Sequence, residues 1–209
     1  MKRSLSPFLI LVAAMLWGTT GTSQALAPES AHPIAIGATR LAIGGLFLLC
    51  IGLLVGRLDI RKWPVKTTIL ASLSMSLYQP LFFSAVSMTG VAIGTVVAIG
   101  SAPVFSGFIE WVYDKKRPSM VWWLSTFLAI LGCILLMVNK GTVYMTSTGL
   151  MLALGAGLSF ASYTRVSRGL VEQFSSISVV AVVFTLSALF YLHYYLFLIC
   201  HGSQVFMVR

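Results

Sequence analysis

Apolar residues run along this chain in seven long stretches, broken by short polar gaps. The stretches cover about 5–26, 34–55, 67–88, 91–113, 119–138, 148–168 and 177–200. Each is close to the roughly 20 residues that an α-helix needs to cross a bilayer. The pattern predicts an all-α, polytopic membrane protein with seven transmembrane helices and no alternating strand pattern.

Basic residues fall in alternate gaps. Lys2 and Arg3, then Arg57, Arg61, Lys62 and Lys66, then Lys115, Lys116 and Arg117, then Arg165 and Arg168 occupy one set of gaps, against Lys140 alone in the other. The positive-inside rule then predicts a cytoplasmic N-terminus and, after seven crossings, an outer C-terminus. One rival reading takes the first stretch as a secretory signal, because Lys2-Arg3 precedes it and Ala25-Leu26-Ala27 resembles a cleavage site. The length of the apolar run, Pro28 directly after the cut, and the charge ladder, which needs this crossing, all argue for retention.

Composition agrees with a membrane chain: 58% hydrophobic, 9% charged, mean hydropathy +0.94, against about 25% charged residues in soluble domains. The net charge of +9 does not read as nucleic-acid binding, because the charges are dispersed over loops and form no patch interleaved with aromatics. The partners expected are the lipid bilayer and a small-molecule substrate, with no nucleic acid. Cys50, Cys133 and Cys200 lie in apolar segments without metal-ligand spacing or a disulfide framework.

A shift of 143 positions lays the first crossing on the sixth and the second on the seventh. Leu9, Ala13, Glu29 and Ile34 fall on Leu152, Ala156, Glu172 and Ile177, and Trp17-Gly18-Thr19 falls on Phe160-Ala161-Ser162. Five crossings separate the copies, an odd number, so the copies enter the membrane from opposite faces, as in inverted-repeat transporters. The domain reading is a complete five-helix repeat over 5–138, the first two helices of an inverted second repeat over 148–200, and a short tail, 201–209. On this reading the chain is incomplete, through truncation, a frameshift near residue 191 or a misplaced gene boundary. A second copy or a second chain is then a candidate partner supplying the remaining helices.

Polar residues inside the crossings are the candidates for chemistry. Trp17, Thr20, Gly21 and Gln24 share one face of the first helix by their i, i+3, i+4, i+7 spacing. Either they line a cavity, or small residues and hydroxyls there pack helices together. Arg40 is the one basic residue well inside a crossing. It could hold a substrate carboxylate, snorkel to the outer interface or pair with Glu29, and its place near the helix end leans towards a structural or gating role. Tyr78, Gln79, Ser101, Ser159 and Tyr163 are further cavity candidates. Gly18 and Gly21, Pro80 and Pro103, and Gly90-x-x-x-Gly94 (echoed by Gly52-x-x-x-Gly56) are packing or hinge candidates. Glu110 is expected in an interfacial ion pair, with Asp114 and Lys115 nearby. No zinc-spaced histidines, nucleophile elbow, paired carboxylates or phosphate loop occur. The chain therefore reads as no enzyme, with no cofactor and no metal.

Together, Leu16-Trp17-Gly18-Thr19-Thr20, Pro33 seven residues before Arg40, Ser101-Ala102-Pro103-Val104-Phe105, the helix around Gly132 and Gly157-Leu158-Ser159-Phe160-Ala161-Ser162-Tyr163 resemble the EamA-type transporters of the drug/metabolite transporter superfamily. The resemblance runs from about residue 5 to 190. It implies ten helices in two inverted repeats, a central cavity with contributions from helices 1, 3, 4 and 6, and carriage of amino acids, amines or drug-like solutes, often outward. Two departures stand out: Lys116 where relatives often carry an acidic residue, and no counterpart of helices 8 to 10. The expected function is a small-metabolite permease working by alternating access. The alternative is a non-transporting, truncated membrane protein or an assembly partner of a split transporter.

Overall fold

The computed structural model describes residues 5–28, 32–56, 58, 63–115, 118–138 and 146–200. Seven helices and no strand occur among them: α1 (Leu5–Ala25), α2 (Pro33–Leu54), α3 (Val65–Thr89), α4 (Val91–Asp114), α5 (Met120–Val138), α6 (Ser147–Val171) and α7 (Ser176–Cys200). Their limits stay within a few residues of the apolar stretches. Glu29, most of the loop cations (Lys2, Arg3, Arg57, Arg61, Lys62, Lys116, Arg117 and Lys140) and the tail 201–209 lie outside the described residues.

Helix ends follow local chemistry. Pro33 opens α2, and His32 caps it by accepting the Ile34 N–H through Nδ1 at 3.3 Å; a proline costs nothing there, because its missing N–H would have no helical partner. Thr146 caps α6 by accepting the Gly149 N–H at 3.4 Å. Between α3 and α4 the chain turns at Gly90, whose φ of 81° suits a residue without Cβ.

Five helices contain spans long and apolar enough to cross a membrane: Pro7–Ala25, Pro33–Leu54, Val65–Thr89, Val91–Tyr113 and Ser176–His193. In α5 the apolar run described is Met120–Gly132. α6 is less apolar because it is rich in Gly, Ser and Thr and ends with Arg165 and Arg168. It packs against both α3 and α4, and a helix enclosed by protein does not need a fully apolar surface.

α3 is central, with half of its span buried, whereas α1 has 6% of its span buried. The core joins Leu41 of α2, Ala71, Met75, Phe82 and Phe83 of α3, Ala98 of α4, Ala153 and Ala156 of α6 and Val179 and Val183 of α7. Outside it, Ile10, Leu16, Ile43, Phe47, Leu54, Phe127 and Met151 are each more than half exposed. So broad an apolar exterior suits hydrocarbon rather than water.

Small residues bring the helices close. A Cβ on Gly45 would stand 2.7 Å from Thr185 N, where α2 meets α7; one on Gly37 would stand 2.9 Å from Gln79 Cβ of α3; and one on Gly157 would collide with Ser101 of α4. The two GxxxG pairs divide differently from the sequence expectation. Gly94 packs against Val86 and Thr89 of α3, and Gly52 makes room for Leu58. Gly90 and Gly56, with φ of 81° and 65°, are turn residues with nothing near their Cβ positions. Each pair straddles a helix end, so neither forms a two-glycine helix crossing. Gly18 has no neighbouring atom within 4 Å of its Cβ position, and Gly21 meets Val91 of α4 at 2.5 Å.

Candidate solute cavity

α1 ends, α2 begins and α3 ends at the same side of the bundle, and a cavity of about 310 Å³ lies there. α1 contributes Thr19, Thr20, Ser23 and Gln24; α2 contributes Ile36 and Arg40; α3 contributes Phe83. Successive turns of α1 present its hydroxyl and amide groups to one side, which a wholly lipid-facing helix has no use for. Thr19 Oγ1 donates to Leu16 O at 2.7 Å and Ser23 Oγ to Thr19 O at 2.8 Å. With those protons held by their own helix, the two oxygens keep lone pairs for other donors. Gln24 Nε2 donates to Phe83 O at 2.9 Å and so ties α1 to α3, while its Oε1 is buried without a partner.

The sequence candidates gather in three places, the first two linked by the electrostatic interaction of Arg40 with Tyr78. Thr20, Gln24 and Arg40 meet in the cavity wall. Trp17, Tyr78 and Tyr163 surround Phe160 of α6, at ring-centroid distances of 5.7, 5.3 and 6.0 Å. Gln79, Ser101 and Ser159 sit in helix contacts: Gln79 is buried beneath Gly37, Ser101 faces Gly157 and donates to Ala98 O at 3.2 Å, and Ser159 is buried. Thr19, Ser23, Ile36 and Phe83 were not singled out as lining by sequence. The first two belong to the polar half of α1 and were within reach of the same helical spacing; Ile36 and Phe83 are apolar residues on apolar helices and carry no signal.

Pro80 and Pro103 lie inside α3 and α4. Pro80 has no N–H to give to Ser76 O, four residues back. The Tyr191 hydroxyl of α7 donates to that carbonyl instead. Next to it, Ser187 Oγ shares its one proton between Ser72 O at 2.9 Å and Val183 O of its own helix at 2.7 Å, so α7 meets α3 at two successive turns. Neither α7 residue was singled out from sequence.

At the opposite end of the bundle, side chains bridge neighbouring elements. Glu110 of α4 pairs with Arg168 of α6 at 3.0 Å. An interfacial ion pair was expected there, with Asp114 and Lys115 as the nearby charges; the partner is Arg168, 58 residues away, brought in by the packing of α6 on α4. Trp63, before α3, stacks on Phe174, between α6 and α7, with centroids 4.3 Å apart, and its Nε1 donates to Thr68 Oγ1 at 2.6 Å.

Long helices with a broad apolar exterior make this a multi-pass membrane protein, with a cavity at one end lined largely by polar side chains. The chain belongs to the EamA-like transporter family, whose profile matches residues 4–138. It is 47% identical over 189 residues to the uncharacterized transporter YwfM of Bacillus subtilis (strain 168), an alignment covering 90% of this chain and 64% of that protein. This chain therefore spans less than two thirds of that relative's length. No solved structure matches it. The family is one of transporters, and the relative's name is that of a transporter.

Proposed function

We propose that this chain is the solute-binding part of a bacterial inner-membrane permease that moves amino acids, amines or drug-like solutes outward by alternating access. The observation that carries this reading is the polar cavity at one end of an otherwise apolar bundle, opposite an end held by Glu110–Arg168 and Trp63–Phe174. With the N-terminus in the cytoplasm, as the loop charges favour, the cavity faces outside and the ion pair faces inside. Rocking of one repeat against the other would exchange the two ends. Two contacts support the inverted repeat over 5–138 and 148–200. Trp17 and Phe160, matched by the 143-residue shift, touch each other, and α2 packs on its counterpart α7. Elements near a pseudo-two-fold axis meet their own counterparts in this way.

Efflux from proteoliposomes tests the reading. Vesicles preloaded with radiolabelled amino acids and amines should lose label faster than empty-membrane controls, and Gln24→Ala should slow that loss. The assay is run with this chain and with a fusion to the part of YwfM that the alignment leaves uncovered. Background rates from both proteins, for every solute, would reject transport.

A second reading has its own observation. α1 is bare on the side that carries Gly18, whereas its repeat counterpart α6 is clasped by α3 and α4. The chain would then be an assembly partner, covered on α1 by a second copy or a second chain. Cysteine cross-linking from Gly18→Cys in membranes should capture that neighbour.

A further inference from the structure

The charge in the cavity wall narrows what the cavity can hold. Arg40 is the one charged residue among those lining it. It makes no hydrogen bond or ion pair with any described residue. The described carboxylates of known position lie at the other end of the bundle: Glu110 is paired with Arg168, and Glu172 follows α6 there. A single positive charge in a wet cleft with low-dielectric walls focuses its field into the cleft and concentrates anions there. A guanidinium also offers a flat, two-pronged donor set that matches a carboxylate.

The other walls limit the rest of the ligand. Ile36 and Phe83 present hydrocarbon next to Arg40. About 310 Å³ lies at the small end of the range for ligand pockets.

We propose that this cavity binds the carboxylate of a small organic acid, with Arg40 holding the carboxylate and a short apolar body lying against Ile36 and Phe83. The inference rests on reading the cavity as the solute site and assigns that site a chemical class. Of the roles that the sequence left open for Arg40, it takes the one of holding a substrate carboxylate. An anionic lipid headgroup would satisfy the same guanidinium, so the test separates the two sources.

The full chain, purified in an uncharged maltoside detergent, is titrated with radiolabelled isovalerate, using isovaleramide, its neutral isostere, as competitor. Saturable isovalerate binding that the amide does not displace is expected. Arg40→Gln should weaken it by roughly 10-fold or more, the effect of losing one hydrogen-bonding partner of a charged group. Arg40→Lys should recover only part, because the point charge returns without the fork. Ile36→Trp keeps the charge and fills the cavity, so it should also abolish binding; it decides the question if Arg40→Gln does not fold. Equal displacement by the amide, or binding unchanged in Ile36→Trp, overturns the proposal. So does thermal protection by phosphatidylglycerol that depends on Arg40 while isovalerate protects nothing, because the ligand would then be lipid. Efflux separates this inference from the broader reading. Vesicles that release amines from a protein blind to isovalerate leave transport standing and remove the carboxylate site. A protein that binds isovalerate and moves nothing does the reverse.

Discussion

At residue scale, the link from Tyr191 to Ser76 depends on Pro80. An ordinary residue at 80 would donate its N–H to Ser76 O; proline cannot, and the freed carbonyl takes a hydroxyl from another helix. Tyr191→Phe should destabilise the protein by about 1 kcal/mol, the net worth of one part-buried hydrogen bond. In a Pro80→Ala background the same substitution should cost much less, because Ser76 O regains a helical partner. Unfolding in mixed micelles, arranged as a double-mutant cycle, measures the difference. Two glycines make an opposite pair. Gly45→Ala should destabilise by about 1–3 kcal/mol, because its Cβ would enter the α2–α7 contact at Thr185 N. Gly18→Ala has free space and should be neutral or stabilising by up to about 1 kcal/mol through helix propensity. A large loss at Gly18, with none at Gly45, would mean that α1 and not α7 makes the tight contact. All these residue types were visible in the sequence, but their partners were not: Ser76 and Tyr191 are 115 residues apart.

At the scale of elements, α4 and α6 are joined twice, by close packing of Gly157 on Ser101 and by the Glu110–Arg168 pair. The pair is well exposed, and exposed pairs contribute little to stability, about 0–1 kcal/mol. Glu110→Gln should therefore leave the unfolding midpoint nearly unchanged while loosening the contact of α4 with α6 at that end. Ser167→Cys, buried next to Arg168, reports this through its rate of maleimide labelling. The rate should rise with Glu110→Gln and fall back when the charges are exchanged as Glu110→Arg with Arg168→Glu. An unchanged rate would show that packing alone holds that contact. The helices themselves were legible along the whole chain, because apolar length and loop charge are local properties. Which of two like-looking glycines packs and which turns was decided by its distance from a helix end, and that shows only once the ends are placed.

For the molecule as a whole, the decisive quantity is sidedness. Single cysteines replacing Lys66 and Lys115 in a background without Cys50, Cys133 and Cys200 should be labelled by an impermeant maleimide only after the cells are opened. Cysteines replacing Gly90 and Thr146 should be labelled in intact spheroplasts. These four positions alternate along α3, α4 and α6, so one consistent set of results fixes the orientation of the bundle and the side on which the cavity opens. The reversed set would place the opening of the Arg40 cavity on the cytoplasmic side.

The amino-acid sequence alone determined the all-helical, multi-pass character, the limits of the helices to within a few residues and the family, because each depends on a run of neighbouring residues. It also marked the polar face of α1, for the same reason: helical spacing puts Thr20 and Gln24 on one side whatever surrounds them. The tertiary structure decided which candidates share a space. Packing of α1 and α2 against α3 brings Arg40 into one wall with Thr20 and Gln24 and closes the space with Ile36 and Phe83, while Trp17, Tyr78 and Tyr163 gather instead around Phe160. It also chose Arg168 for Glu110 and Tyr191 for Ser76. A cavity and a cross-helix partner both arise from residues far apart in the chain, and no local pattern carries the crossing of helices that joins them.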